Sequence, residues 1–348
     1  MTTSQPDSAG QPPPRRSRGT RAVVIGAALV LAAALVTAGV IKVAKTIGPA
    51  NPVSSSLGPP VGTFSHHPVK ISLPTGKAAY LGAFAKGVPG SYAPVQSLAQ
   101  ATGAHLNVAL YYSGWYERFQ SAFAIKATDN GAVPFIQIDP TGIRFQGIVD
   151  GDFDHYLRIM ATDVAGYGAR TGQGVIIGFG HEMNGRWFSW GFKHVTPALF
   201  VAAWRHIVNV FRAQGADDVT WLWTVNIIDK RNHIPSPDRW WPGSSYVTWV
   251  GIDGYYLKPS WSFASLFGPT IKAVRVLTLD PILISETGAS SAVGQSAKIS
   301  DLFTGVRKYG LLGFVWFDGK GTQDWTLNAP ASLAAFRLGA KTFNEVRP

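Results

Sequence analysis

From about residue 76 onward, short apolar runs alternate with amphipathic stretches, and the alternation repeats eight times. The runs cover 79–85, 106–112, 133–138, 175–179, 219–224, 247–252, 282–285 and 313–317. Near-continuous apolar runs of this length, without polar residues at every second position, read as strands buried on both faces. The clearest of the intervening helices is predicted over 197–214. There Leu199, Phe200, Ala203, Trp204, Ile207, Val208 and Phe211 share one face, Thr196 and Pro197 supply a first turn, and Gly215 ends it. A second helix is predicted over 153–167.

Eight strands, each followed by a helix or a long loop, close most economically into a parallel (β/α)8 barrel, which typically takes about 250 residues. An open doubly wound sheet is the competing architecture, but no glycine-rich phosphate loop follows the first run.

The chain before residue 76 has a different character. Residues 1–20 are rich in Pro, Ser and Arg and predict a disordered basic tail. The charge-free stretch 22–41 is long enough, at ~1.5 Å per residue, to cross a ~30 Å hydrocarbon core. A transmembrane signal-anchor over 21–41 is therefore expected, with a flexible linker over 42–75 and a catalytic domain over 76–348. Arg15, Arg16, Arg18 and Arg21 precede the apolar stretch and favour a cytoplasmic N-terminus, which puts the rest of the chain outside. A cleaved signal peptide, followed by secretion, is the alternative.

Composition narrows the function classes. The net charge is +11, but six Lys/Arg against a single acid fall in residues 1–50, and beyond them no basic block exists; nucleic acid is not an expected partner. Cysteine is absent, which excludes thiolate chemistry and Cys-ligated zinc. Twelve Trp supply core volume and also flat faces for sugar rings.

In a barrel of this kind the site lies at the C-terminal strand ends. Glu182 falls after the fourth run, inside Gly180-His181-Glu182-Met183-Asn184-Gly185-Arg186-Trp187-Phe188-Ser189-Trp190, and Glu286 follows the seventh. Two carboxyl groups at two strand ends, among aromatics, suit hydrolysis of a glycosidic bond. Desolvation among His181, Trp187 and Trp190 would raise Glu182 and make it the general acid and base. Glu286 would be the nucleophile, with Tyr255 its best hydrogen-bond donor. Asn226 and Trp316, at the fifth and eighth strand ends, join His181, Trp187, Trp190 and Tyr255 as candidate substrate-binding residues. A His181-Glu182 zinc-protease helix is excluded because Gly185 stands where a second His is needed. No metal or cofactor is expected, since two carboxyl groups and water complete the cycle.

These residues resemble glycoside hydrolase family 26, the β-mannanases and related endo-glycanases. The matches are His181-Glu182-Met183-Asn184-Gly185 with Trp187 and Trp190, then Trp249-Val250-Gly251-Ile252-Asp253-Gly254-Tyr255, then Ser285-Glu286. The resemblance implies a retaining double displacement with Glu182 as acid/base and Glu286 as nucleophile. It also implies that Tyr255 bonds the nucleophile, that His181 and Trp187 line the site, and that Trp316 supports the sugar being cleaved. Tyr111-Tyr112-Ser113 departs from the family at the second strand end, where many mannanases place a His. The expected partner is a β-linked polysaccharide, mannan first and mixed-linkage β-1,3-1,4-glucan as the alternative. A non-catalytic carbohydrate-binding barrel is the alternative of another class.

Overall fold

The computed structural model describes residues 72–343. The expected tail, the anchor over 21–41 and the linker as far as residue 71 lie outside the described residues. Among the described residues no helix is long and apolar enough to cross a membrane. Ser72–Thr75, counted with the linker from sequence, packs beneath the barrel. Leu73 is buried there, and the Pro74 carbonyl accepts the Tyr80 hydroxyl at 2.6 Å.

Eight parallel strands form a closed barrel in chain order: β1 (Tyr80–Pro89), β2 (Val108–Gly114), β3 (Val133–Asp139), β4 (Val175–Phe179), β5 (Val219–Asn226), β6 (Trp249–Tyr256), β7 (Ile282–Ala289) and β8 (Gly313–Asp318). All eight predicted runs are strands. The helices are α1 (Ala93–Thr102), α2 (Ser121–Asp129), α3 (Phe145–Val149), α4 (Asp154–Thr171), α5 (Pro197–Ala213), α6 (Phe263–Leu266), α7 (Gly268–Leu277), α8 (Gln295–Lys308) and α9 (Pro330–Ala340). Helix α5 begins as predicted, its Thr196 side chain accepting from the Leu199 amide. Helix α4 runs one turn past its predicted end and stops at Gly172, whose φ of +66° is left-handed.

Several strands outlast their apolar runs at the C-terminal end, β6 by four residues and β7 by four. The added residues include Asp253, Tyr255 and Glu286, polar groups that still belong to the ladder.

Two apolar layers separate across the sheet. Inside the barrel lie Tyr80, Val108, Leu110, Phe135, Ile176, Leu222, Trp249, Leu283 and Val315. Outside, the alternate residues pack against the helices, among them Ile136, Ile177, Val225, Ile284 and Trp316. This period-two division decides which strand residues face the mouth. Above the apolar filling comes a polar layer, in which Gln137 donates to Thr224 Oγ1 at 3.0 Å. Gly178 is needed beside it, since a Cβ there would lie 2.0 Å from Gln137 Oε1.

Candidate active site

The site is built on the ends of β4 and β7. After β4 the chain leaves through Gly180 and reaches Glu182 with a left-handed φ of +56°, a conformation that is costly for a residue with a Cβ. The loop is pinned around it. The Glu182 amide donates to the Thr224 carbonyl at 3.0 Å and the Gly185 amide to the Glu182 carbonyl at 2.7 Å. Gly185 permits the return of Trp187, whose ring would lie 2.4 Å from a Cβ at that position.

Two donors hold the Glu182 carboxyl. Asn226 Nδ2 donates to Oε1 at 2.5 Å and Trp187 Nε1 to Oε2 at 2.7 Å. Asn184 in turn fixes Asn226, accepting from its amide at 2.9 Å and donating to its carbonyl at 2.9 Å. Burial pushes Glu182 above the usual carboxylate range, opposed by the neighbouring His181 and by both donors.

Glu286 reaches the mouth through an irregularity in β7. Gly251 pairs with Leu283, whereas Asp253 pairs with Glu286, so β7 carries one extra residue across the same span of β6. Strict alternation from inward Leu283 would make Ser285 inward and Glu286 outward. The bulge turns Glu286 inward beside Ser285. Ser285 donates to Asp253 Oδ1 at 2.6 Å, and Glu286 receives the hydroxyls of Tyr255 on Oε1 and Tyr112 on Oε2, both as short hydrogen bonds. Burial pushes the Glu286 carboxyl up to about 8. Donation from the two phenols favours its ionised form.

Beneath the two carboxyl groups lies a buried charged layer. His181 Nδ1 stands 3.1 Å from Asp139 Oδ1, both residues buried. Burial depresses His181, but the Asp139 carboxylate outweighs it and raises the imidazole to about 9. Asp253 is fully buried and lies well above its ordinary value, through burial first and the nearby Glu182 second. The two halves of the site meet where the Tyr112 and His181 rings lie 5.7 Å apart. Among the described residues no group of three or more His, Cys, Asp or Glu could hold a metal ion.

The structure brings Glu182, Glu286, His181, Trp187, Asn226 and Tyr255 together. It turns two expected contacts away. Trp190 is buried beneath the loop, stacked on Phe188 at 4.2 Å with its Nε1 donating to the His181 carbonyl, so it supports the loop from below. Trp316 is outward on β8, packed edge-on against Phe336 of α9, with its Nε1 donating to the Trp325 carbonyl. The inward aromatics on that side are Phe317 and Trp325, the latter 4.2 Å from the Tyr255 ring. Tyr112 is expected from sequence at the second strand end, but its bond to Glu286 is not. Period-two counting from Val108 and Leu110 signals its inward aim, and it occupies the strand end where the family pattern departs.

Residues 169–292 match the family model of glycosyl hydrolase family 26. The resemblance drawn from the motifs is thus shown, and the matched segment contains both Glu182 and Glu286. Endoglucanase H of Acetivibrio thermocellus is 30% identical over 277 residues, covering 74% of this chain and 30% of that protein. Mannan endo-1,4-beta-mannosidase A and B of Caldalkalibacillus mannanilyticus is 27% identical over 136 residues, 37% of this chain and 24% of that one. The chain thus spans a third or less of the length of these two curated relatives. Among solved structures, a Bacillus subtilis mannanase superposes with a TM-score of 0.56 at 20% identity, covering 75% of this chain and 85% of its own. An endo-β-mannanase/endo-β-glucanase of Prevotella bryantii gives 0.58 at 13% identity, over 77% and 44%. These structures share the barrel fold.

Proposed function

We propose that the chain is a retaining endo-β-glycosidase acting on β-1,4-mannan-type polysaccharide. The observation that carries the reading is the pair of carboxyl groups, Glu182 buried and Glu286 half-buried, held by different donors over one barrel mouth. In this reading Glu182 donates a proton to the glycosidic oxygen while Glu286 attacks the anomeric carbon. Water, activated by Glu182 as base, then hydrolyses the glycosyl-enzyme. Tyr112 and Tyr255 keep the nucleophile's oxygens aimed, and Asn226 and Trp187 do the same for the acid. His181, charged and paired with Asp139, supports the Glu182 side of the mouth from beneath.

The test is reducing-sugar release from galactomannan and from mixed-linkage glucan, with Glu182→Ala and Glu286→Ala. Losing the general acid is expected to lower kcat by roughly 10²–10⁴-fold on these polymers, and losing the nucleophile to abolish turnover. Nuclear magnetic resonance of the first-formed hemiacetal should show β configuration; an α product would refute retention. The mixed-linkage glucan reading is kept for one reason, that the relative matched over 74% of the chain is an endoglucanase. Preferential cleavage of the glucan would establish it. Binding of both polymers without turnover would instead favour the non-catalytic barrel.

The location proposed from sequence is a single-pass membrane anchor over 21–41 with the barrel outside the cytoplasm. Sedimentation of the full chain with membranes, lost on deleting residues 1–41, is the expected result; a freely soluble full chain would refute the anchor.

A further inference from the structure

A cavity of about 900 Å³ opens over the ends of β8 and β1 and reaches Tyr112 at the edge of the site. One wall is a stripe of α1, where Pro94, Ser97, Leu98 and Ala101 stand at the i, i+3, i+4, i+7 spacing of a single helix face. Phe317 and Leu327 also line it. Neither Glu182 nor Glu286 lines this space; of the residues that bond the two carboxyl groups, Tyr112 borders it, while Tyr255, Asn226 and Trp187 do not. In a double displacement the nucleophile keeps the glycone, the sugar portion that becomes enzyme-bound, while the leaving group departs on the acid's side. A cavity that meets the site at Tyr112, a donor to Glu286, therefore receives the glycone.

The lining is unusual for bare sugar. Hydroxyls require donors and acceptors, and sugar C–H faces are best covered by flat rings. Away from Phe84, Tyr112 and Phe317, the cavity is walled largely by aliphatic groups, Val88, Pro89, Leu98, Ala101 and Leu327. An apolar substituent suits such a wall better than a hydroxyl. At the rim stands Lys86, exposed and paired with no carboxylate among the described residues. The cavity's other ammonium, Lys320, is 3.2 Å from Asp324. Asp318 lies in the same lining and opposes an anionic guest. Aliphatic walls, an ammonium without a carboxylate partner and a nearby carboxylate together fit a neutral acyl ester, whose methyl packs and whose carbonyl accepts.

We infer that this cavity binds a glycone sugar carrying an O-acetyl group, with the methyl against Val88, Leu98 and Leu327 and the carbonyl facing the Lys86 ammonium. The inference rests on the glycoside hydrolase reading above, which fixes the glycone side.

The experiment compares full-length chain on acetylated glucomannan and on the same polymer after alkaline deacetylation. It also measures, by calorimetry, binding of acetylated and deacetylated oligosaccharides to the wild type and to Glu286→Gln. The acetylated forms are expected to be favoured about tenfold in kcat/KM and in affinity, the scale on which one small apolar group is discriminated. Lys86→Met and Ala101→Trp should each bring that ratio close to one, by lowering kcat/KM and affinity for the acetylated forms more than for the deacetylated ones. A wild-type ratio of one would overturn the inference. So would a ratio unchanged in both variants, or tighter binding of a uronic-acid-bearing oligosaccharide than of the acetylated one. Failure of the wild type to cleave either polymer would refute the hydrolase reading instead, and the calorimetric ratio would still decide what the cavity binds.

Discussion

Glu286 carries two opposing influences that a substitution can separate. Burial raises its carboxyl to about 8, and the hydroxyls of Tyr112 and Tyr255 each meet one of its oxygens. A hydrogen bond to a charged group contributes about 1.5–3 kcal/mol, so removing one phenol should raise the carboxyl by roughly one to two pH units. Tyr112→Phe and Tyr255→Phe are therefore each expected to move the acidic limb of the kcat/KM profile upward by that amount. In the wild type the same limb should already lie well above the ~4.3 of an ordinary glutamate. A limb unmoved in both variants would mean that neither phenol governs the nucleophile's ionisation. Gln at 286 should abolish turnover, because an amide oxygen cannot form the glycosyl-enzyme.

At the scale of elements, the loop from His181 to Trp190 divides its two tryptophans between support and contact. Trp190 is sealed beneath the loop and Trp187 stands half-exposed with its ring nitrogen on Glu182. Trp190→Ala should cost roughly 3–5 kcal/mol of stability, read as a drop in Tm on the order of 10 °C for a domain of this size. Trp187→Ala should leave Tm nearly unchanged and lower kcat, since it frees one oxygen of the proposed acid. Equal Tm losses in the two would refute the division. The same loop marks what could be read from sequence. Apolar runs located all eight strands, and Glu182 and Glu286 at their ends. They did not give side-chain aim: both Trp187 and Trp190 lie in an aromatic stretch, and only the return at Gly185 tells them apart. Trp316 is one position out of phase with inward Val315 and Phe317, and the alternation along β8 would have excluded it. Glu286 is the reverse case. Alternation counts it outward, and only a bulge that depends on pairing with β6 turns it in.

For the whole molecule, the described chain starts under the barrel, where Ser72 and Thr75 border the same cavity as Val219, Trp249 and Pro281 at the strand starts. The charged layer inside the barrel also ties stability to pH. His181 is raised to about 9 in the folded chain against about 6.5 unfolded, so its contribution is full below about 6.5 and is lost as pH rises through 9. Glu286 is raised to about 8 against about 4.3 unfolded. The folded state therefore retains that proton after the unfolded chain has released it, and stability falls between about pH 4.3 and 8. Both groups act in the same direction, so Tm is expected to decline from pH 5 to pH 9. Burial raises Glu182 and Asp253 as well, in the same direction; Glu286→Gln removes one of these titrations and should make the decline shallower, chiefly below pH 8, while the part due to His181 persists above it. Thermal unfolding of both proteins across that range is the measurement; a Tm that rises toward pH 9 would show that the buried layer does not hold its protons as the geometry requires.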